Sequence, residues 1–204
     1  MSEAEAVLVL NKDFSVFKGG DKYVSHEDLQ AVADGKVKDA SQEDIDAAKY
    51  ILANGKLFDR LDTAAKGGKT DDKISQEDAE SYARKEAVGV LDSDFSVFTG
   101  GDKYVNYGNL LAVADGKVKD ASQEDILAAD YITSDYFYTF RVLDGYNARN
   151  GKEDGLISQN DASKYYLDGA PSDLYLPNTW DEATLQGQAQ ADILELYLEI
   201  ITAP

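Results

Sequence analysis

The chain has 204 residues, 43% of them hydrophobic, no cysteine and a formal charge of −19 at neutral pH. That charge argues against nucleic acid and acidic membrane surfaces as partners, because phosphate contacts need clustered Lys and Arg, and it leaves cations or basic proteins as the natural complement. Without thiols there are no disulfides and no thiolate metal sites, and nothing of that kind would hinder export through an unfolded state.

The amino terminus, MSEAEAVLVL, carries acids where a secretory signal carries positive charge, and its apolar run is only Val7 to Leu10, so a cleaved signal peptide is not expected. Asp13–Ile51 then returns almost residue for residue as Asp94–Ile132, at a constant offset of 81. The likeness reaches back to Glu5–Leu10 against Glu86–Leu91. Going forward, the offset slips to 82 at Asp62/Asp144 and to 83 at Ile74-Ser75/Ile157-Ser158. A repeat of this length decides the architecture: two modules, residues 1–85 and 86–169, followed by an unrepeated segment, 170–204.

Helix starts recur on one template, a Ser followed three residues later by Asp, at Ser25, Ser41, Ser75, Ser122 and Ser158. The Ser hydroxyl accepts from an early helix N–H, and the acid reaches back and complements the helix dipole. From Ser25 the helix carries Leu29 and Val32 and stops at Gly35. From Ser41, the residues Ile45, Ala48, Ile51 and Leu52 share one face, and Asn54-Gly55 breaks the chain. Leu57, Phe58 and Leu61 begin a short helix ending near Asp62, and a long polar loop leads to the helix from Ser75, with Ala79 and Tyr82. The second module repeats the plan with Ile126, Ala129 and Ile132, then Phe140 and Leu143, then Tyr165. Extended signal is confined to Tyr23-Val24, Lys73-Ile74, Tyr104-Val105 and Leu156-Ile157. Each module therefore reads as two helix–loop–helix units, and the fold class as all-α. After Gly169, APSDLYLPN reads as a linker, and an amphipathic helix is expected from about Thr179, with Leu185, Ala189, Ile193, Leu196 and Ile200 as its apolar stripe. Ile193–Ile201, interrupted by Glu195 and Glu199, is too short to span a bilayer.

The second halves of the two long loops resemble EF-hand calcium loops. Asp154 and Gly155 fit the fifth and sixth positions, Ile157 the hydrophobic eighth and Asp161 the acidic twelfth. In the first module Asp71, Asp72, Ile74 and Asp78 take those places, with Asp72 where the turn glycine would stand. Calcium needs six to eight hard oxygens, which a turned loop running into a helix supplies from alternating positions. The first halves depart from the pattern. In standard register Asn150 and Lys152, or Gly67 and Lys69, fall at positions one and three, and lysine is no ligand. In an expanded loop, Asp62 or Asp144 supplies the first carboxylate instead. The candidate metal ligands are thus Asp62, Asp71, Asp78, Asp144, Asn150, Asp154 and Asp161, with calcium as the cofactor. The competing reading makes Asp28, Asp78 and Asp161 caps and the remaining acids a solvated surface, with no metal. The short loops, KGGDKYVSHED and TGGDKYVNYGN, are poorer in acids, and Glu27-Asp28 becomes Gly108-Asn109 in the second copy. They read as structural partners, placing Val24 beside Ile74 and Val105 beside Ile157.

The segment Ile45–Asp78 resembles repeats in the NolX/HrpF-type translocon proteins of bacterial type III secretion. The likeness rests on A-A-x-Y-I-L-x-N from Ala47 to Asn54, on Leu61-Asp62-Thr63, on Gly67-Gly68, and on D-x-K-I-S-x-x-D ending at Asp78. It covers both modules but not residues 170–204. The resemblance implies a secreted protein at the bacterium–host interface whose partners are secretion-system or host proteins. Full-length translocators of that type carry membrane-inserting segments and this chain has none, so pore formation by it alone is not expected. The family pattern often has glycine where Asp72 stands. A metal-independent interaction module, or an intracellular calcium-binding protein in the cytoplasm, remains the alternative.

His26, whose counterpart is Tyr107, reads as an exposed first-turn residue. Tyr136, Phe137, Tyr138 and Phe140 read either as core or as a partner-binding patch. There is no G-x-S-x-G, P-loop, thiol or repeated histidine, and although acidic pairs abound, no catalytic activity is expected.

Overall fold

The computed structural model describes residues 1–65, 70–134, 138–146 and 155–168. These residues are mostly helical: α1 (Glu3–Lys12), α2 (Phe14–Phe17), α3 (His26–Ala33), α4 (Gln42–Ala53), α5 (Gly55–Asp62), α6 (Gln76–Ser93), α7 (Phe95–Phe98), α8 (Tyr107–Ala114), α9 (Gln123–Ser134), α10 (Tyr138–Tyr146) and α11 (Gln159–Asp168). Among them there is no strand, only two isolated antiparallel bridges, Val24 with Ile74 and Val105 with Ile157. The protein is all-α. The expected terminal helix lies outside the described residues.

The Ser-x-x-Asp template works as capping chemistry. Ser25, Ser41 and Ser75 each accept from the N–H of Asp28, Asp44 and Asp78, whose carboxylates accept from the Ser N–H in return. The same reciprocal bonds join Ser122 to Asp125 and Ser158 to Asp161. A further capping box, Ser2 with Glu5, starts α1. At α8 the pair is Asn106 and Asn109, so the loss of the Asp28 charge in the second copy leaves the cap intact. Gly35 and Gly116 follow α3 and α8 at φ +67° and +65°, the left-handed turn that closes a helix end.

Helix α1 is buried at Ala4 and continuously from Ala6 to Leu10. A helix apolar on all sides needs neighbours on all sides, and α1 has them, packing against α4, α6 and α9. Helix α6 runs unbroken from Gln76 to Ser93, so the 85/86 module boundary expected from the repeat falls inside it. Its first turns follow the long loop, and its later turns bury Ala87, Val88, Val90 and Leu91 against α1, α9 and α11. On α4 the buried apolar residues are Ala47, Ala48 and Ile51, while Ile45 and Leu52 are half-buried. Helix α9, wedged between α1 and α6, buries more: Leu127, Ala128, Ala129, Tyr131 and Ile132. The exposed Asp46 of α4 becomes the buried Leu127 at the repeat-equivalent position of α9.

Candidate functional site

Each long loop is framed by a helix that ends in a buried Asp and a helix whose first turn holds another. Asp62 closes α5 and is 2% exposed; Asp78 opens α6 and is 6% exposed. The loop between them is drawn inward by the Val24–Ile74 bridge, in which each residue's N–H donates to the other's carbonyl at 2.9 Å. Two carboxylates brace the loop from opposite ends. Asp62 Oδ2 accepts from the Asp71 N–H at 3.0 Å and the Asp72 N–H at 3.1 Å, reaching forward to the turn. Asp78 Oδ1 accepts from the Ala65 N–H at 2.9 Å, reaching back to the loop's start, while its Oδ2 accepts from the Ser75 N–H at 3.0 Å and the Ser75 hydroxyl at 2.5 Å. Asp62 Oδ1 is buried and accepts no hydrogen bond from the described residues, as is also true of Oδ1 in the helix-capping Asp44 and Asp125; only Asp62 of the three stands at a long loop. A buried carboxylate oxygen without a donor costs free energy, and a cation is the other way to satisfy it. The Asp71 and Asp72 side chains are exposed.

Asp72 adopts φ +60°, the one non-glycine residue at positive φ among those described. Its equivalent, Gly155, has φ +79°. Both stand where the calcium-loop register requires a sharp turn, and that turn needs glycine or a short polar residue able to tolerate the left-handed region. The second loop repeats the forward brace, with the Gly155 N–H donating to Asp144 Oδ2 at 2.8 Å. The brace spans ten residues from Asp62 to Asp72 and eleven from Asp144 to Gly155, which accounts for the slip in repeat offset from 82 to 83. Asp144 and Asp161 are 5% and 7% exposed, and Asp161 Oδ2 accepts from the Ser158 N–H at 2.8 Å and its hydroxyl at 2.6 Å. Asn150 and Asp154 lie outside the described residues, as do Gly67, Lys69, Lys152, Tyr136 and Phe137. Of the candidate ligands, then, Asp62 and Asp78 bracket one loop with Asp71 on its outer turn, and Asp144 and Asp161 bracket the other. Among the described residues no group of three or more acidic or histidine side chains is placed to hold a metal ion.

The short loops are built around backbone geometry. Gly19 and Gly100 take φ +57° and +63°, and a Cβ on Gly19 would stand 2.1 Å from Asp28 Oδ1, so the Asp28 carboxylate fills the space under the glycine turn. Asn109 occupies the same place beneath Gly100, its Nδ2 3.0 Å from where a Cβ would stand. His26 is exposed and stacks on Phe58 with ring centroids 3.8 Å apart. Its counterpart, Tyr107, meets Phe140 edge to face at 5.6 Å. Phe140 is core, at 3% exposure.

A polar network that the sequence reading missed joins α1, α5 and α6. Arg60 donates through Nε to the Tyr82 hydroxyl at 2.8 Å and through Nη2 to Glu3 Oε1 at 2.6 Å, and the Tyr82 hydroxyl donates to Glu3 Oε1 at 2.8 Å. Burial, opposed in part by Arg60, pushes the Tyr82 phenol up to about 12. Glu86, one turn further along α6, is half-buried, and burial followed by the charge of Glu3 raises its carboxyl above the usual range. Nothing local marks these residues as partners: Glu3 and Tyr82 are 79 positions apart. Among the described residues no helix is long and apolar enough to cross a membrane. No protein-family model, curated protein or solved structure matches the chain.

Proposed function

We propose that this chain is an acidic, EF-hand-like interaction protein whose two long loops take calcium. One observation carries the reading: Asp62, at the end of α5, is buried with one oxygen accepting the turn's amides and the other accepting nothing, beside a left-handed turn in calcium-loop register. Asp62, Asp71 and Asp78 would hold the ion in the first loop, and Asp144, Asp154 and Asp161, with Asn150 in the standard register, in the second. Calcium supplies positive charge to carboxylates that otherwise repel one another, and the chain's own residues convert that into order. Asp62 fixes the turn, Asp78 ties the loop's start to the first turn of α6, and the bridges link each long loop to its short partner. Binding in such a site couples directly to folding.

The resemblance to type III translocon repeats supports a secreted protein working through secretion-system or host protein partners. The absence of cysteine suits passage in an unfolded state. A metal-independent interaction module is the second reading, favoured by the amides already donating to Asp62 and Asp78 in the first loop. Calorimetric calcium titration of chelator-stripped protein, beside Asp62→Asn and Asp144→Asn, separates the two. Saturable heat that each variant reduces supports calcium sites. No heat in the unsubstituted protein, with an unchanged melting temperature in excess calcium, leaves the metal-independent reading.

A further inference from the structure

A cavity of about 370 Å³ opens between α5, the start of the long loop, α6 and α11, lined by Arg60, Thr63, Ser81, Tyr82, Lys85 and Tyr165. Its volume falls in the range of ligand pockets, roughly 300–1,000 Å³. In a chain with 39 acids to 20 bases, two cations, Arg60 and Lys85, meet here over the ring of Tyr82. Lys85 holds its ammonium over the Tyr82 ring at 5.7 Å and the Tyr166 ring at 5.9 Å and has no carboxylate at ion-pair distance among the described residues. Arg60 spends Nε and Nη2 on Tyr82 and Glu3, which leaves Nη1 to donate. The Ser81 and Thr63 hydroxyls are already given to the carbonyls of Ala64 and Asp59, so the cavity offers an occupant cationic donors and aromatic faces.

The chain itself contains a segment of matching chemistry. Helix α11 ends at Asp168, one turn beyond Tyr165 and Tyr166; Tyr166 lies over Gly89, and a Cβ on Gly89 would stand 2.8 Å from the Tyr166 ring. Leu167, beside it, is 79% exposed. The residues that follow, 169–204, contain six acids and no lysine, arginine or histidine. They also contain the protein's only tryptophan, in the run Trp180-Asp181-Glu182. An aromatic side chain followed by two carboxylates suits a cavity with tyrosine walls and two cations at its rim. Trp180 stands twelve positions after Asp168, and an extended chain covers roughly 40 Å over that distance, so reach does not limit the contact.

We infer that the cavity between α5, α6 and α11 is the docking site for this chain's own carboxy-terminal segment, through Trp180, Asp181 and Glu182. Trp180 reports on the docking directly, because no other tryptophan contributes to the emission. The experiment uses the full chain and measures Trp180 emission and acrylamide quenching in the unsubstituted protein, in Lys85→Glu, in Asp181→Lys/Glu182→Lys, and in the charge-swapped combination. Lys85 is exposed, so its reversal leaves the fold intact, as circular dichroism would check. The expected result is a blue-shifted, quencher-protected Trp180 in the unsubstituted protein. Each reversal alone shifts the emission red and raises quenching several-fold, and the combination restores protection. Solvent-like emission in the unsubstituted protein, or protection that Lys85→Glu leaves unchanged, overturns the proposal. Protection that grows with protein concentration overturns it as well, by assigning the segment to a second copy.

Discussion

Replacing Leu127 by Ala tests how tightly α9 is wedged between α1 and α6. Leu127 is 4% exposed, and deleting most of a buried leucine costs about 2–5 kcal/mol, depending on how far the site collapses. The middle of that range, about 3 kcal/mol, is expected. For a protein of this size that lowers the melting temperature by about 6–12 °C. The repeat-equivalent Asp46 is exposed, and Asp46→Leu should stay within about 0.5 kcal/mol of the unsubstituted protein. Thermal melts followed by far-UV circular dichroism, with reversibility checked, compare the two. A fall of less than about 2 °C for Leu127→Ala would mean that less than about 1 kcal/mol of packing is lost, and the wedge would be wrong.

Gly19→Ala should destabilise more than Gly35→Ala in chemical denaturation: both pay about 1–2 kcal/mol for a left-handed alanine, but only at Gly19 does the new Cβ run into the Asp28 carboxylate. Ser122→Ala should exceed the usual cap loss of about 1 kcal/mol, because Asp125 is 2% exposed and would lose the hydroxyl that donates to it at 2.8 Å; a denaturant midpoint no lower than that of Ser2→Ala, whose capping acid Glu5 is only half-buried, would contradict this. Burial raises the Glu86 carboxyl, so the folded state binds this proton more tightly than the unfolded chain does. Its contribution to stability is present in acid and lost as pH rises through the raised value. Glu86→Gln should therefore melt higher than the unsubstituted protein at pH 7, with the gap closing on acidification. A gap that is constant across pH would rule out this titration.

Much of the fold was legible because it rests on local chemistry. The five Ser-x-x-Asp starts cap helices, Gly35 stops α3, and Val24 and Val105 pair with Ile74 and Ile157 as their places beside the loops suggest. The sequence set Asp72 where a turn glycine would stand, without indicating that it takes the positive φ of a glycine. Other features depend on partners far along the chain. The middle of α1 gives no amphipathic signal because Ala6 to Leu10 are buried without a break. The continuity of α6 was hidden because the repeat places a module boundary at 85/86, and Gly89 within the helix is accounted for only once Tyr166 is seen to lie on it. The replacement of Asp46 by Leu127 was the available sign that the copies have different neighbours. At the candidate site the sequence identified the acids but not the amides they accept, since only the folded loop brings Ala65 to Asp78 and Asp71 to Asp62.

Hydrogen exchange of the loop amides, with and without calcium, tests the central claim most directly. The Asp71 and Asp72 N–H groups donate to Asp62 and the Gly155 N–H donates to Asp144, so these three amides report on the two loops, while α4 serves as an internal reference. If calcium fills the long loops, protection at Asp71, Asp72 and Gly155 rises severalfold with calcium concentration, saturates, and disappears in Asp62→Asn and Asp144→Asn respectively, with α4 unchanged. Exchange at all three amides that is identical in chelator and in saturating calcium would contradict the account.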